Sequence, residues 1–339
     1  MAIPEIRIMN APVAVKPRAS TLLPALVLFF LAPLVAEYLL GDLPITLLPA
    51  LLVLAPMYGA GALLIREVVR ATGRGWPSVL LLGAAYGILE EAFTTQSLFN
   101  PDYLHMHMGL LNAGYIPALG MGAWWTLWML NVHPVWSITT PIVLTEALFP
   151  SRAQRPWLSP VGRVIVCVVF AIGLVANTVI GWRQDHFIAR PFQFGLGAVL
   201  VLVFVALALG HRWVIRRKKR ASRVQSLWIT GACAFIAASA ALLIGNEWGW
   251  WSFVLLLVVD LIFLTLALRW ITRMGWSDLH SLSLAAAAAL AYAWHSFIQP
   301  QIVGKPGPAV LVGKVIFALG AIVIVWIGVK RMRGAKAKS

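Results

Sequence analysis

The sequence predicts an all-α fold, a polytopic bundle of about ten transmembrane helices. Of its 339 residues, 60% are hydrophobic and only 12% are charged, and the mean hydropathy is +0.85. A soluble domain would carry about 25% charged residues, and an apolar run of about 20 residues is long enough to cross a bilayer. Such runs recur along the whole chain, so residues 1–339 are predicted to form one integral membrane domain.

Ten apolar runs define the predicted helices. The first begins near Thr21, is too long for a signal-peptide core and is predicted to be retained. The fourth contains Pro134 and Pro141, which predict a kink. The predicted helices are 21–40, 44–65, 76–96, 121–149, 161–182, 192–213, 226–245, 248–270, 280–299 and 309–329.

Lysines and arginines set the predicted orientation, because basic residues concentrate in cytoplasmic loops. Alternate segments hold 23 of the 27 basic residues, which predicts that both termini lie inside and that the protein resides in the plasma (inner) membrane. The largest of these segments is a basic cytoplasmic loop at 212–225. Its portion 216–223 is either a determinant of topology or a binding site for anionic lipid headgroups.

Composition also excludes several classes of function. The net charge of +15 arises from the basic loops, so no nucleic acid is predicted as a partner. Cys167 and Cys233 each lie inside an apolar run and predict no disulfide. The chain has neither a P-loop motif nor a GxGxxG sequence after a strand, so no nucleotide is predicted as a ligand. The lipid bilayer is the predicted partner, and the sequence identifies no protein partner.

Two adjacent carboxylic acids, Glu90 and Glu91, lie within the third predicted helix. Charged groups at membrane depth are costly and mark candidate functional positions. Gly83, Gly87 and Glu90 follow one another at helical spacing and share a face. The Gly83-xxx-Gly87 pair predicts that another helix approaches closely. This face is therefore predicted to pack tightly in one half and to present carboxylates in the other.

Other polar residues are predicted to lie at a similar depth, in the outer half of the membrane. They are His133 in the fourth helix, His295 and Gln299 at the end of the ninth, Glu37 in the first and Asn177 in the fifth. Two glutamates and two histidines at one depth predict a metal or acid/base site, with zinc as the expected divalent metal and a glutamate as general base. The alternative is that these residues only join helices through hydrogen bonds.

The Glu-Glu pair and the later histidines resemble the motifs of a known family. Glu90-Glu91, His133 and His295 with Gln299 are similar to the EExxxR, FxxxH and HxxxN motifs of the CAAX-protease and bacteriocin-processing (CPBP) family. Members of that family are intramembrane metal-dependent proteases. The resemblance implies that a glutamate activates water, and that the histidines and the terminal amide bind a metal or the oxyanion.

The chain departs from this family pattern at three positions. Thr95 stands in place of the arginine, Met129 in place of the aromatic residue and Gln299 in place of the asparagine. The predicted site also lies in the outer half of the membrane, whereas the family's cavity is typically described as facing the cytosol.

Two further features carry alternative functions. Asp260, near the middle of the eighth helix, is typical of ion-coupled transporters and equally suits a local hydrogen bond. His105 and His107 in the outer loop 97–120 offer ligands for zinc or copper, or are solvated loop residues. The sequence therefore leaves three hypotheses: an intramembrane metal-dependent hydrolase, a small-solute or ion-coupled transporter, and a non-catalytic membrane scaffold.

Overall fold

The computed structural model describes residues 22–210, 223–304 and 306–336, and within them ten long helical stretches follow one another, with two short 3-10 turns at Tyr103–His105 and Pro150–Arg152. Most of the predicted basic loop 212–225 lies outside the described residues, including positions 216–222 of its segment 216–223. The helices are α1 Leu23–Leu39, α2 Ile45–Ala71, α3 Trp76–Leu89 continued by Glu90–Thr94, α4 Ala123–Asn131 continued by Val132–Thr139 and Thr140–Leu148, α5 Pro160–Asp185, α6 Pro191–Gly210, α7 Leu227–Leu243, α8 Trp250–Ile271, α9 Asp278–His295 and α10 Pro308–Lys336.

The loop between α3 and α4 contains a short antiparallel hairpin, in which β1 Tyr115–Ile116 pairs with β2 Met121–Gly122. We name the end of the bundle that carries this loop the hairpin end. The opposite end, where α2 finishes with Arg66 and Arg70, is named the arginine end.

Within the described residues, five helices are long and apolar enough to cross a membrane, and the shorter α1 and α7 are also apolar. The five are α2, α5, α6, α8 and α10. In the most apolar window of α5, α6, α8 and α10 only 6% to 17% of the residues are buried, against 50% in α2. Exposed apolar side chains on a membrane protein are the surface that contacts lipid. The chain is therefore an integral membrane protein whose outer helices face the bilayer.

The core of the bundle is built from α1, α2, α3, α4 and α9. One buried apolar cluster joins α1, α2, α3 and α4, and a second joins α1, α4 and α9. Outside this core, α6 packs on α3, α5 on α2 and α7 on α9. The helices with the predicted glutamates and histidines are thus the least exposed to lipid.

Glycines allow α3 and α4 to approach each other closely. A Cβ atom added at Gly83 would lie 2.8 Å from the Cα atom of Pro134, and one at Gly87 would lie 2.9 Å from the Cβ atom of His133. The predicted contact face of Gly83-xxx-Gly87 is confirmed, and its partner is α4.

Replacing Gly87 by alanine is expected to lower the free energy of unfolding by about 1–3 kcal/mol, because the added methyl group overpacks the contact with His133. The measurement is the midpoint of unfolding in a titration with sodium dodecyl sulfate. Gly195→Ala is the matched control, because Gly195 is exposed on α6 and a Cβ atom there meets nothing within 4 Å. Equal midpoints for the two variants would contradict the close contact.

Two helix boundaries differ from the predicted ones in ways that affect the site. Helix α2 continues to Ala71 instead of ending at 65, and α9 ends at His295 instead of 299. The predicted outer loop is also partly internal, since four of its first residues are buried: Ser97, Leu98, Phe99 and Asn100. This segment packs over the end of α3 rather than extending away from the bundle.

A buried ion network at the arginine end explains why α2 continues. The Arg66 guanidinium contacts Glu67 Oε1 at 2.6 Å and Glu146 Oε1 at 3.1 Å, and its carbon lies 3.3 Å from the ring centre of Trp157. Arg70 also donates to both carboxylate oxygens of Glu146, at 2.8 and 2.7 Å. Because each charge is paired, the helix can carry these residues into the protein interior.

Candidate functional site

Four π-helical segments in the described residues each supply a side chain to one region of the core. The wide π turn is rare and frequently occurs at functional sites. Three of the four have a proline at or near their start: Pro33 directly precedes its segment, Pro56 is the second residue of its segment and Pro134 is the third. Proline removes a backbone N–H and displaces the preceding turn, which accounts for the widening. The segments are Leu34–Leu39 with Glu37, Ala55–Gly59 with Tyr58, Glu90–Thr94 with Glu90 and Glu91, and Val132–Thr139 with His133.

The imidazole of His133 lies between two carboxylates. Its Nε2 atom is 2.8 Å from Oε1 of Glu91, and its Nδ1 atom is 3.3 Å from Oε2 of Glu90. The exposed fractions of Glu90, Glu91 and His133 are only 1%, 7% and 3%. The close contact at Gly87 brings the ring of α4 against α3 at this level. Sequence reasoning predicted these three residues as site residues, and the structure brings them together.

The carboxylate of Glu91 is fixed by the residues that follow α3. Its Oε2 atom accepts a hydrogen bond from Thr95 Oγ1 at 2.8 Å and another from the hydroxyl of Ser97. The indole N–H of Trp125 in turn donates to the Ser97 oxygen at 2.9 Å. Both oxygens of Glu91 therefore have partners, and its orientation is well determined.

Glu90 is less completely paired than Glu91. Its Oε1 atom accepts from the Tyr58 hydroxyl at 2.5 Å, whereas its buried Oε2 atom accepts no hydrogen bond and contacts only the Nδ1 atom of His133, at 3.3 Å. The hydroxyl of Tyr86 is also buried without a partner. The rings of Tyr58 and Tyr86 lie beside His133, with centroids 6.4 and 5.8 Å away. Buried polar atoms without partners are costly, so this side of the group is where a ligand could be bound.

Glu37 approaches the same group from α1. Its π segment packs against the segment of α4 that carries His133. The half-buried carboxylate interacts electrostatically with His133 and Glu91 and with the hydroxyl of Tyr58. Predicted only as a polar residue of similar depth, Glu37 lies beside the central group.

The donor set fits a divalent metal. Glu90, Glu91 and His133 each offer one donor atom within 4.8 Å of the others, so the group can supply two ligands and a neighbouring base. Imidazole nitrogen and carboxylate oxygen are the ligands found in catalytic zinc sites, which keep one position open for water. The Oε2 atom of Glu90 accepts no hydrogen bond, as expected for an atom that interacts with a bound metal or its water.

His295 and Gln299, also predicted as ligands, are not part of this group. Although α9 ends at His295, the backbone N–H of Gln299 donates to the His295 carbonyl oxygen at 3.0 Å, and the Gln299 side-chain amide donates to the carboxylate of Asp42 rather than to the central group. His295 is half-buried, and its Nδ1 atom has no hydrogen-bond partner. Similar depth did not place these residues on the same side of the core as His133.

Asn177 and Asp260 serve contacts between helices. The Asn177 amide donates to the carbonyl oxygen of Val53 at 3.2 Å and links α5 to α2. Asp260 accepts from the Asn131 amide at 2.8 Å and links α8 to α4.

The predicted histidine pair in the loop surrounds one carboxylate. His105 and His107 are exposed, and their Nδ1 atoms lie 3.5 and 2.9 Å from the carboxylate oxygens of Asp102. The backbone N–H of His107 donates to this carboxylate and holds the pKa of Asp102 below its usual value. The pair thus forms a local loop contact with Asp102.

Sequence reasoning missed Tyr58 as a site residue and did not assign Tyr86 a role. Tyr86 precedes Glu90 by four residues, so helical spacing could have placed both on one face. Tyr58 follows Pro56 within an apolar run and shows no comparable signal.

Together, the fold and the site define a helical integral membrane protein with a buried Glu-Glu-His group. The chain belongs to the family described as "Uncharacterized membrane protein family", whose family model matches residues 26–337. That match begins within α1 and includes every later helix. No curated protein and no solved structure matches the chain.

Proposed function

We propose that the protein is an intramembrane metal-dependent hydrolase centred on Glu90, Glu91 and His133. The observation that carries this proposal is the position of His133 between two buried carboxylates, one of which retains an oxygen that contacts the imidazole at 3.3 Å but accepts no hydrogen bond. Ion groups that only hold helices together tend to be completely paired, as both oxygens of Glu146 are by Arg66 and Arg70. The resemblance to the CPBP proteases supports the same three residues.

We further propose that all ten helices cross the plasma membrane, with the hairpin end outside. The support is the concentration of basic residues in the segments that follow α2, α4 and α8 and in the C-terminal segment. This orientation places the Glu-Glu-His group in the outer half of the membrane.

Each residue has a distinct role in the proposed reaction. Glu91 and His133 would hold the metal, and Thr95 and Ser97 keep the Glu91 carboxylate in place. A bound zinc ion would lower the pKa of a water molecule and polarise a carbonyl group. Glu90 is the general base, because its Oε2 atom is free to accept a proton.

Glu90 also transfers a proton from water to the leaving amine. As a water oxygen bonds to the carbonyl carbon of a peptide bond, Glu90 Oε2 takes the water proton. It then returns this proton to the amine as the C–N bond breaks. The buried hydroxyl of Tyr86 lies near Glu90 and would be able to donate to the developing oxyanion.

Metal analysis of the purified protein tests the proposed centre. We expect about one zinc-type ion per chain in the wild type, with loss of that ion in Glu91→Gln and His133→Gln, because each variant removes one ligand. Asp260→Asn is the matched control, since this acid bonds Asn131 and lies outside the group. Wild-type protein that binds neither added Zn²⁺ nor Co²⁺ would contradict the metal site and favour the transporter or scaffold hypothesis.

A further inference from the structure

A ring of polar contacts leaves α4 at Trp125 and returns to α4 at His133. The indole N–H of Trp125 donates to Oγ of Ser97 at 2.9 Å, and the Ser97 hydroxyl donates to Oε2 of Glu91. The Oε1 atom of the same carboxylate lies 2.8 Å from Nε2 of His133. Eight residues separate Trp125 from His133, which is roughly 12 Å along a helix. Glu91 is therefore held to α4 at two levels, directly at His133 and through Ser97 at Trp125.

The chemistry of the groups gives these hydrogen bonds their direction. An indole N–H only donates, an ionised carboxylate only accepts, and a serine hydroxyl has one proton. Since the Ser97 oxygen accepts the indole proton of Trp125, its own proton is directed at Glu91. Thr95 repeats the pattern, because its Oγ1 atom accepts from the backbone N–H of Ser97 at 3.4 Å and donates to Glu91 Oε2 at 2.8 Å. Two hydroxyl protons thus point at one oxygen of Glu91, and the other oxygen faces His133.

The backbone around Gln96 fixes the position of Ser97. Gln96 has a φ of +57°, in the left-handed region that is uncommon for residues other than glycine. Its side-chain oxygen accepts from the backbone N–H of Ala189 at 2.7 Å, and the backbone N–H of Leu98 donates to the Glu91 carbonyl oxygen at 3.3 Å. Ser97, between these two anchors, has an exposed fraction of 0%. The turn therefore directs the Ser97 hydroxyl back to the end of α3.

Trp125 has a fixed position of its own from which to hold this hydroxyl. Its ring lies beside that of Trp124, with centroids 5.8 Å apart. The Trp124 indole in turn donates to the backbone carbonyl oxygen of Ile244 at 3.1 Å, which anchors this part of α4 to the end of α7. The indole N–H of Trp125 is thus presented to Ser97 by a packed pair of rings.

We propose that Trp125 is a positioning residue for Glu91 and acts through Ser97. The indole holds the Ser97 oxygen, the hydroxyl proton stays directed at Glu91 Oε2, and the carboxylate presents Oε1 beside His133. The consequence for metal binding rests on the proposed function, because Glu91 is a ligand there. Residues that orient a metal ligand in this way contribute about 10–100-fold to metal affinity.

Metal titration of the full-length protein in detergent micelles tests this role. We expect Trp125→Phe, which keeps an aromatic ring and removes the N–H, to raise the dissociation constant for Zn²⁺ by about 10–100-fold. Trp294→Phe is the matched control, because the half-buried Trp294 indole donates to Oγ of Ser239 at 2.8 Å, between α9 and α7. This control should bind Zn²⁺ as the wild type does. A wild-type dissociation constant in Trp125→Phe would overturn the inference and leave the proposed hydrolase intact.

A double variant tests whether Trp125 acts through Ser97. We expect Trp125→Phe combined with Ser97→Ala to bind Zn²⁺ no more weakly than Ser97→Ala alone, because the indole has then lost the group through which it acts. A merely structural contribution of Trp125 would add to the effect of Ser97→Ala. Additive losses would therefore overturn the inference.

The indole proton of Trp125 gives a readout in metal-free protein and needs no variant at this position. In protein labelled with ¹⁵N-tryptophan, its resonance is assigned from its contact with the Ser97 methylene protons. We expect Glu91→Gln to shift this proton upfield, since a neutral acceptor polarises the Ser97 hydroxyl less than a carboxylate does. Asp260→Asn should leave the resonance in place, because Asp260 bonds Asn131.

The two measurements separate this inference from the proposed function. A resonance that does not move in Glu91→Gln would overturn the positioning role, whether or not the wild type binds Zn²⁺. A shifted resonance in a wild type that binds no Zn²⁺ would reject the metal centre and retain the positioning role.

Discussion

Replacing Arg66 by methionine is expected to lower the free energy of unfolding by about 3–5 kcal/mol, because it leaves the buried carboxylate of Glu67 without its cation and removes one of the two cations that Glu146 contacts. Glu67 would lose a contact of 2.6 Å and Glu146 one of 3.1 Å, while neither carboxylate could reach bulk water. The guanidinium also donates to backbone carbonyl oxygens of residues 152, 153 and 155, which would lose that donor. Titration with sodium dodecyl sulfate measures the change as a shift in the unfolding midpoint.

Arg331→Met is the matched control for this prediction. Arg331 is exposed and donates to the carbonyl oxygen of Leu148 at the same end of the bundle. Its replacement should change the free energy of unfolding by no more than about 0.5 kcal/mol. If the two variants unfolded at the same midpoint, the buried network would not be the element that holds α2, α4 and the following loop together.

Hydropathy predicted where the helices lie, but it did not predict that a helix can continue through charged residues beyond its apolar run. The charge of Arg66 suggested that the second helix ends at 65, whereas α2 continues to Ala71. The partner that neutralises Arg66 from α4 is Glu146, which is 80 residues away in the sequence. A pairing of this kind depends on the tertiary packing, and no local pattern in the sequence reveals it.

The central residues of the site were predictable because they occur where charge is costly. Glu90, Glu91 and His133 each interrupt an apolar run, and Gly87 marks the face where α3 meets its partner. In a regular α-helix consecutive side chains point about 100° apart. Here the π turn and the two nitrogens of one imidazole allow both adjacent acids to contact the same ring.

The surrounding residues were not predictable from depth alone. The predicted depth puts His295 near the level of His133, but depth does not determine toward which neighbour a helix turns a given face. Gln299, one turn beyond His295, donates to Asp42 instead of the central group. Tyr58 was missed for a different reason. It lies within an apolar run, so its neighbours in the sequence give no sign that its hydroxyl contacts Glu90.

Replacing Glu90 by glutamine is expected to reduce hydrolysis by about 10²–10⁴-fold, since the amide cannot accept and return the proton. Proteoliposomes containing the purified protein and extracted membrane proteins would be incubated in water enriched in ¹⁸O. Each hydrolysed peptide bond then places ¹⁸O in a new carboxyl terminus, which mass spectrometry counts without knowledge of the substrate. Asp260→Asn should retain the wild-type rate, because its carboxylate contacts Asn131 rather than the central group.

The glutamine substitution separates the chemistry of Glu90 from its packing. The Tyr58 hydroxyl can donate to the amide oxygen as it does to the carboxylate, and the contact of His133 with Glu91 at 2.8 Å is unchanged. The unfolding midpoint should therefore move by less than the equivalent of about 1 kcal/mol. A folded, metal-bound Glu90→Gln protein without ¹⁸O incorporation would assign proton transfer to Glu90. Wild-type rates in this variant would contradict that role, and a wild type without incorporation would contradict the hydrolase.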